Sequence, residues 1–354
     1  MGPTSKSLLV IAALIVIAAG LKAAQAVVVP FLLAVFIATI AATPVFWLEQ
    51  RRVPAWLAIP VVMVGIIIVL IGVGAVVAQS VGEFTARLPF YQARLAAVLV
   101  DVVGRFELLG IEISNELLLS QLDPGMALAL AGNTLRGLGG VLSNGFLILV
   151  TVIFILSEAS SFPRKLREVL RQPERDMPYF ARFASNVNRY MGIKTTVSVA
   201  TGIIVTLALT LVGVDFPVLW GLVAFLFNYI PNIGSFIAAV PAVLLALIQL
   251  GVGPALLTMM IYLAINVVMG NWVEPRYMGR GLGLSPLVVF LSLVFWGWML
   301  GPVGMLLSVP LTMTAKIALE ANPSTRWLAL LLGPADAGEP LVPTTTDDEA
   351  AIRP

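Results

Sequence analysis

The chain has 354 residues, 59% of them apolar and 11% charged, with a formal net charge of +2 and a mean hydropathy of +1.00. Soluble domains carry about 45–50% apolar and about 25% charged residues, so this composition excludes a water-soluble fold, and the small net charge offers nucleic acid no grip. The absence of cysteine and histidine removes disulfides, thiolate and imidazole metal ligands and Cys- or His-based catalysis; no metal and no cofactor is expected.

A membrane-crossing helix needs about 20 mostly apolar residues. The first such run, Leu8 to Ala26, follows Lys6 as a secretory leader would, but no Ala-x-Ala site opens onto a soluble chain and a second run follows at once. It is read as a retained first span. Spans two and three are Val27 to Leu48 and Trp56 to Ala78; the fourth is Leu138 to Leu156 and the fifth Thr195 to Val214. Pro217 to Ile230, Ile233 to Leu250, Pro254 to Trp272, Pro286 to Leu300 and Pro302 to Leu319 complete about ten apolar segments, several of them short.

Two stretches break the apolar pattern. Gln79 to Gly137 alternates apolar residues with Glu83, Arg87, Arg94, Asp101, Arg105, Glu107, Glu112 and Glu116, a spacing that predicts amphipathic helices outside the bilayer core. Ser157 to Lys194 is strongly basic and is expected to be a cytoplasmic loop, because short cytoplasmic segments collect Lys and Arg. With the N-terminus inside, all of the 21 Lys and Arg except Lys22, Arg87, Arg94, Arg105 and Arg136 fall on the cytoplasmic side, which places both termini there.

The expected architecture is all-α: a polytopic membrane protein of about eight full spans plus Pro/Gly-broken hairpins. Residues 1–78 carry spans one to three, 79–137 the extracytoplasmic amphipathic helices, and 138–194 span four and the basic loop. Residues 195–320 form a C-terminal region with broken hairpins at 216–250 and 285–319. The tail 333–354, rich in Pro, Thr, Asp and Glu, is expected to be disordered.

The two hairpins share a frame. Pro217 and Pro241 are 24 positions apart, as are Pro286 and Pro310, and each pair brackets a break, Pro231-Asn232-Ile233-Gly234 in the first and Gly301-Pro302-Val303-Gly304 in the second. The charge-derived topology sends the spans that precede them in opposite directions, so the units are expected to be inverted repeats. Non-helical backbone at membrane depth is tolerated only where it lines protein or a water-filled cavity, and broken helices in inverted repeats form solute sites in secondary transporters. Chance matches of Pro and Gly, which are frequent in membrane helices, are the bland alternative.

Candidate side chains follow from the expense of charge in lipid. Asp215 reads as an interface cap or as a proton or cation site; Glu274, in Asn271-Trp272-Val273-Glu274-Pro275, reads as an interfacial salt bridge to Arg276 or Arg280 or as a gating or coupling carboxylate. Asn228, Asn232, Ser235, Asn266 and Asn271 offer hydrogen bonds to a solute or between helices. Pro231, Gly234, Pro275, Pro286, Gly301, Pro302, Gly304 and Pro310 shape the breaks around them. Gly279-Arg280-Gly281-Leu282-Gly283 lacks the Lys-Ser/Thr ending of a phosphate loop, and with no such motif the chain alone is no ATP-driven pump.

These segments carry a family resemblance. Phe225 through Gly234, Asn271 through Pro275, Leu284-Ser285-Pro286, Phe295-Trp296-Gly297-Trp298, Gly301-Pro302-Val303-Gly304 and Ser308-Val309-Pro310-Leu311 resemble the AI-2E transporters, also called the autoinducer-2 exporter or PerM family, and the likeness covers Leu8 to Glu320. It implies transport of a small polar solute, with export of autoinducer-2 and monovalent cation/proton antiport both known among members. It also implies homo-oligomers, a pentamer among the forms suggested, residing in a bacterial cytoplasmic membrane. The sequence departs from the pattern at Ser235, where an Ile-Gly-Pro run is more usual. Three readings stand: a secondary exporter, a cation/proton antiporter using Asp215 or Glu274, and a non-transporting membrane scaffold. An enzyme is weaker, since no Cys or His can pair with a nucleophile.

Overall fold

The computed structural model describes residues 3–108, 145–159, 161–170, 173–231, 233–278, 283–320 and 324–334, and among them every regular element is a helix. In chain order these are α1 (Pro3–Ala23), α2 (Gln25–Gln50), α3 (Ala55–Leu108), α4 (Gly145–Ala159), α5 (Phe162–Val169), α6 (Pro173–Val212), α7 (Pro217–Phe227) and α8 (Gly234–Leu250). Next, α9 (Val252–Asn266) runs through π-helical turns at Val267–Val273 into α10 (Glu274–Met278), and α11 (Pro286–Leu306), α12 (Ser308–Glu320) and α13 (Arg326–Leu331) follow.

Five helices are long and apolar enough to cross a bilayer, six if α4 and α5, bent by 63°, are one span. The described residues thus give fewer full spans than the eight or so expected. α7 and α8, in the expected hairpin region, are 11 and 17 residues long, each below the length of about 20 that a crossing needs. Large apolar side chains such as Ile68, Phe154, Leu257 and Phe290 are exposed on the helix surfaces, as lipid-facing side chains are. The protein is an all-α, multi-pass membrane protein.

The two polar stretches are largely helical where they are described. The amphipathic stretch from Gln79 does not start a new element, because Ala78-Gln79-Ser80 contains no breaker and α3 continues unbroken for 54 residues. At 1.5 Å per residue that is roughly 80 Å, far more than the ~30 Å of hydrocarbon, so the charged C-terminal half of α3 projects beyond one face. Residues 109–137 of that stretch, and the tail beyond 334, lie outside the described residues. The basic segment is largely helical rather than a loop: α5 and the first half of α6 occupy most of it, and Lys194 is buried within α6.

Local sequence explains the ends. Pro217 and Pro286 begin α7 and α11 at the first helical turn, where a missing N–H costs nothing, and the Ser285 hydroxyl accepts from Val288 N–H at 3.2 Å as an N-cap. Gly251, at φ 94°, makes the reversal between α8 and α9, a conformation that costs glycine little.

Close packing relies on small residues, as expected where lipid supplies no hydrophobic drive between helices. Ala34, Ala38 and Ala41 of α2 are buried in a cluster with Ile148 and Val152 of α4. α6 meets α7 at Gly202 and Gly221, where a Cβ on Gly221 would stand 1.9 Å from Thr206 Oγ1. A larger cluster joins Phe84 and Tyr91 of α3, Leu209 of α6, Trp220 of α7, Leu245 of α8 and Tyr262 of α9.

Both hairpins close by the same device. A Cβ on Gly234 would lie 1.8 Å from the Phe227 carbonyl oxygen, and one on Gly304 would lie 2.0 Å from that of Trp296. Phe227 and Trp296 stand at the same offset after Pro217 and Pro286, so in each hairpin a glycine of the returning arm rests on one backbone position of the outgoing arm. The second outgoing arm ends at Gly301, at φ 68° and ψ −152°, inside α11.

Candidate functional site

α6 carries Lys194 and Thr195 on one turn and Ser198 on the next. Ser198 and Lys194 are almost fully buried, at 0% and 3% exposure. Each finds a partner far away in sequence. Lys194 Nζ lies 2.6 Å from Glu274 Oε1 at the start of α10; the Tyr229 hydroxyl donates to Thr195 Oγ1 at 2.8 Å, and Asn228 Nδ2 donates to Ser198 Oγ at 2.9 Å. Thr195 in turn donates to the Met191 carbonyl. The tip of the first hairpin and the end of the π-helical segment are therefore fixed to one face of α6 by polar contacts.

A buried ion pair gains from the low dielectric but loses the hydration of both ions. Its side chains are 4% and 20% exposed, so neither charge retains much water. The expected partners Arg276 and Arg280 are not what holds Glu274: Arg276 is exposed, and Arg280 lies outside the described residues. Lys194 ends the basic segment in sequence and its partner is 80 positions away; the local sequence gives no sign of the pairing beyond a lone lysine entering an apolar run.

The π-helical turns have a geometric consequence. In an α-helix, residues four apart drift by about 40° around the axis, so a stripe at that spacing slides off a facing helix. The wider turns of a π segment carry more residues each and wind back part of that drift. Val267–Val273 lies between Asn266 and Glu274, so the widened turns act just before Glu274 reaches Lys194.

Other candidates are dispersed. Asn266 is half-buried, with its Oδ1 3.7 Å from where a Cβ on Gly270 would stand. Pro231 and Ser235 are half-buried at the first break, Gly234 closes it, and Asn232 lies outside the described residues. Asn271 and Pro275 are exposed, away from the buried face. In the second hairpin, Pro286 and Pro302 are exposed, Gly304 is buried and Pro310 is half-buried in α12. Gly301 faces α2, where Gln25 Nε2 stands 3.4 Å from its Cβ position, and Lys22 Nζ sits 4.0 Å over the Trp298 ring. The second hairpin still reaches α6: Val309 and Met313 cluster with Tyr190 and Met191, one turn before Lys194.

Asp215 belongs to a separate clasp just beyond the C-terminal end of α6. Arg87 Nη1 and the Tyr91 hydroxyl donate to its Oδ2 at 2.9 and 2.8 Å, and its own N–H donates to Gln249 Oε1 at 2.9 Å. Gln249 Nε2 donates to the Gly213 carbonyl, and the Trp220 indole N–H to the Asp215 carbonyl. The Arg87, Tyr91 and Gln249 contacts tie the α6–α7 turn to α3 and α8, and the Trp220 indole braces the turn from α7.

The architecture defines a helical, multi-pass membrane protein with a polar face buried among its helices. A family model described as the AI-2E family transporter matches residues 11–324. The "AI-2 transport protein TqsA" of Escherichia coli K12 is 41% identical over 327 residues, covering 92% of this chain and 95% of that protein. A Haemophilus influenzae relative, described only as a transport protein, is 43% identical over 335 residues, covering 93% and 96%. This chain belongs to the AI-2E transporter family. Its function is transport, and nothing in that membership calls for catalysis.

Proposed function

We propose that this protein is a secondary transporter that exports a small polar solute of the autoinducer-2 class across the bacterial cytoplasmic membrane. The observation that carries the reading is the buried polar face of α6, where Lys194, Thr195 and Ser198 meet Glu274, Tyr229 and Asn228 beside a broken helix. Such groups are expensive in lipid and mark solute paths. The name of the E. coli relative supports the solute class, and the Lys/Arg distribution supports cytoplasmic termini. In this reading Asn228, Asn266 and Glu274 contribute to the path, the two hairpins are inverted halves of one moving unit, and the exposed apolar helix faces meet lipid and further copies of the chain.

The antiporter reading needs a carboxylate free to take up a cation. Asp215 is held by Arg87 and Tyr91, and Glu274 by Lys194, which argues against it. The test is counterflow in proteoliposomes of the purified chain, with labelled autoinducer-2 and Na⁺ offered in parallel under an imposed proton gradient. Autoinducer-2 flux lost in Asn228→Ala and Glu274→Gln supports the exporter; Na⁺-dependent proton flux lost in Glu274→Gln supports the antiporter; no flux of either overturns both.

A further inference from the structure

Two hydroxyls on α9 are buried with no hydrogen-bond partner among the described residues: Thr258 Oγ1 and Tyr262 Oη. Thr258 is 0% and Tyr262 5% exposed. They stand four residues apart, so their Cβ atoms are neighbours about 5–6 Å apart on one helix face. Thr258 departs from the habit of this protein. Thr39, Thr85, Thr151, Thr206 and Thr314 each donate to the carbonyl four residues back, the usual way to satisfy a hydroxyl inside a helix. A buried polar atom left without a partner is costly, and in a native structure it calls for an explanation.

The sequence extends the pair into a stripe. Thr258, Tyr262, Asn266, Gly270 and Glu274 recur at every fourth position, and the slower winding of Val267–Val273 helps keep the last of them toward α6. At 1.5 Å per residue the stripe covers roughly 24 Å, most of the ~30 Å of hydrocarbon. One end is the Glu274–Lys194 pair; the other is the two unpaired hydroxyls, where Tyr262 belongs to the apolar cluster that also holds Leu245, Ala242 and Leu209.

We propose that the Thr258 and Tyr262 hydroxyls form a second hydrogen-bonding station for the transported solute, and that the solute taking it is uncharged and rich in hydroxyl or carbonyl groups. This rests on the exporter reading and narrows it. Neither hydroxyl has a charged partner among the described residues, so an ion moved there would shed its hydration for two hydroxyls, a large penalty. A neutral polyol would exchange water hydrogen bonds for those the two side chains lack.

Tyr262→Phe and Thr258→Val remove the hydroxyls at nearly constant volume. They are compared with the wild type and with Thr258→Ser, which keeps the oxygen, by autoinducer-2 counterflow over a concentration series and by thermal unfolding in detergent. The expected result is a KM raised about tenfold in the double variant, an unfolding midpoint equal to or above the wild type, and Thr258→Ser close to wild type. An unchanged KM in the double variant, with wild-type flux intact, overturns this station and leaves the exporter reading standing; the hydroxyls would then hold ordered water only. Wild-type protein inert toward autoinducer-2 overturns both.

Discussion

At the tip of the first hairpin, Asn228 and Tyr229 hand their polar atoms to Ser198 and Thr195 of α6. The second hairpin, built on the same frame, bonds within itself, Trp296 Nε1 to Thr312 Oγ1 at 3.0 Å, and packs its kink on α1 and α2 through Lys22 and Gln25. Matching Pro and Gly positions fix the shape of a break, but what a break does depends on the surface it meets. The first hairpin meets the polar face of α6, whereas the second clusters with that helix through apolar side chains, among them Val288, Val289, Val309 and Met313. The sharper concentration of polar contacts lies on one side of the molecule.

The closing glycines offer the strongest way to break this comparison. Gly234→Ala and Gly304→Ala would each push a Cβ within 1.8 or 2.0 Å of a carbonyl oxygen of the opposite arm. No rotamer change relieves a backbone clash, so a loss of at least about 3 kcal/mol is expected for both, read as a lowered unfolding midpoint or loss of a monodisperse peak in detergent. Equal damage would support one closing device; damage at Gly234 alone would separate the two hairpins.

The ion pair comes next. Lys194→Ala or Glu274→Ala leaves an unpaired buried charge, and each should cost about 3–5 kcal/mol. Lys194→Met with Glu274→Leu removes both charges and should recover most of that stability. Transport by the double variant should still fail, measured by counterflow beside the unfolding midpoint. Restored flux would make the pair structural.

Smaller effects test the breaks and the clasp. Gly301→Ala forces an L side chain to φ 68° and ψ −152°, a region nearly confined to glycine, and should cost about 1–3 kcal/mol; Asn228→Ala, which strips Ser198 of its partner, should cost about 1–3 kcal/mol and reduce flux. Last is the Asp215 clasp. Arg87 is half exposed, so a double-mutant cycle with Arg87→Ala and Asp215→Asn should return a coupling of at most about 1 kcal/mol, with flux near wild type. A collapse of flux there would revive Asp215 as a coupling site.

The chain's own residues announced much of this. Pro217, Pro286 and Gly301 mark the breaks because a missing N–H and a left-handed φ are local properties that act wherever the residue sits. The candidates Asn228 and Glu274 were visible as polar residues in apolar runs. Their partners were not: Ser198 and Thr195 look like ordinary small polar residues of a membrane helix, and Lys194 looks like the end of a basic loop.

Composition and periodicity alone determined that the protein is helical and membrane-spanning, because a chain this apolar must satisfy its backbone inside its own helices. The local breakers fixed where those helices end. Only the tertiary structure decided that α3 is one rod, that π turns intervene before Glu274, that Asp215 is clasped and that Lys194 and Glu274 are paired. Each of those depends on which helix faces which across tens of residues, and a charge or a hydroxyl gains its meaning only when the surface opposite it is known.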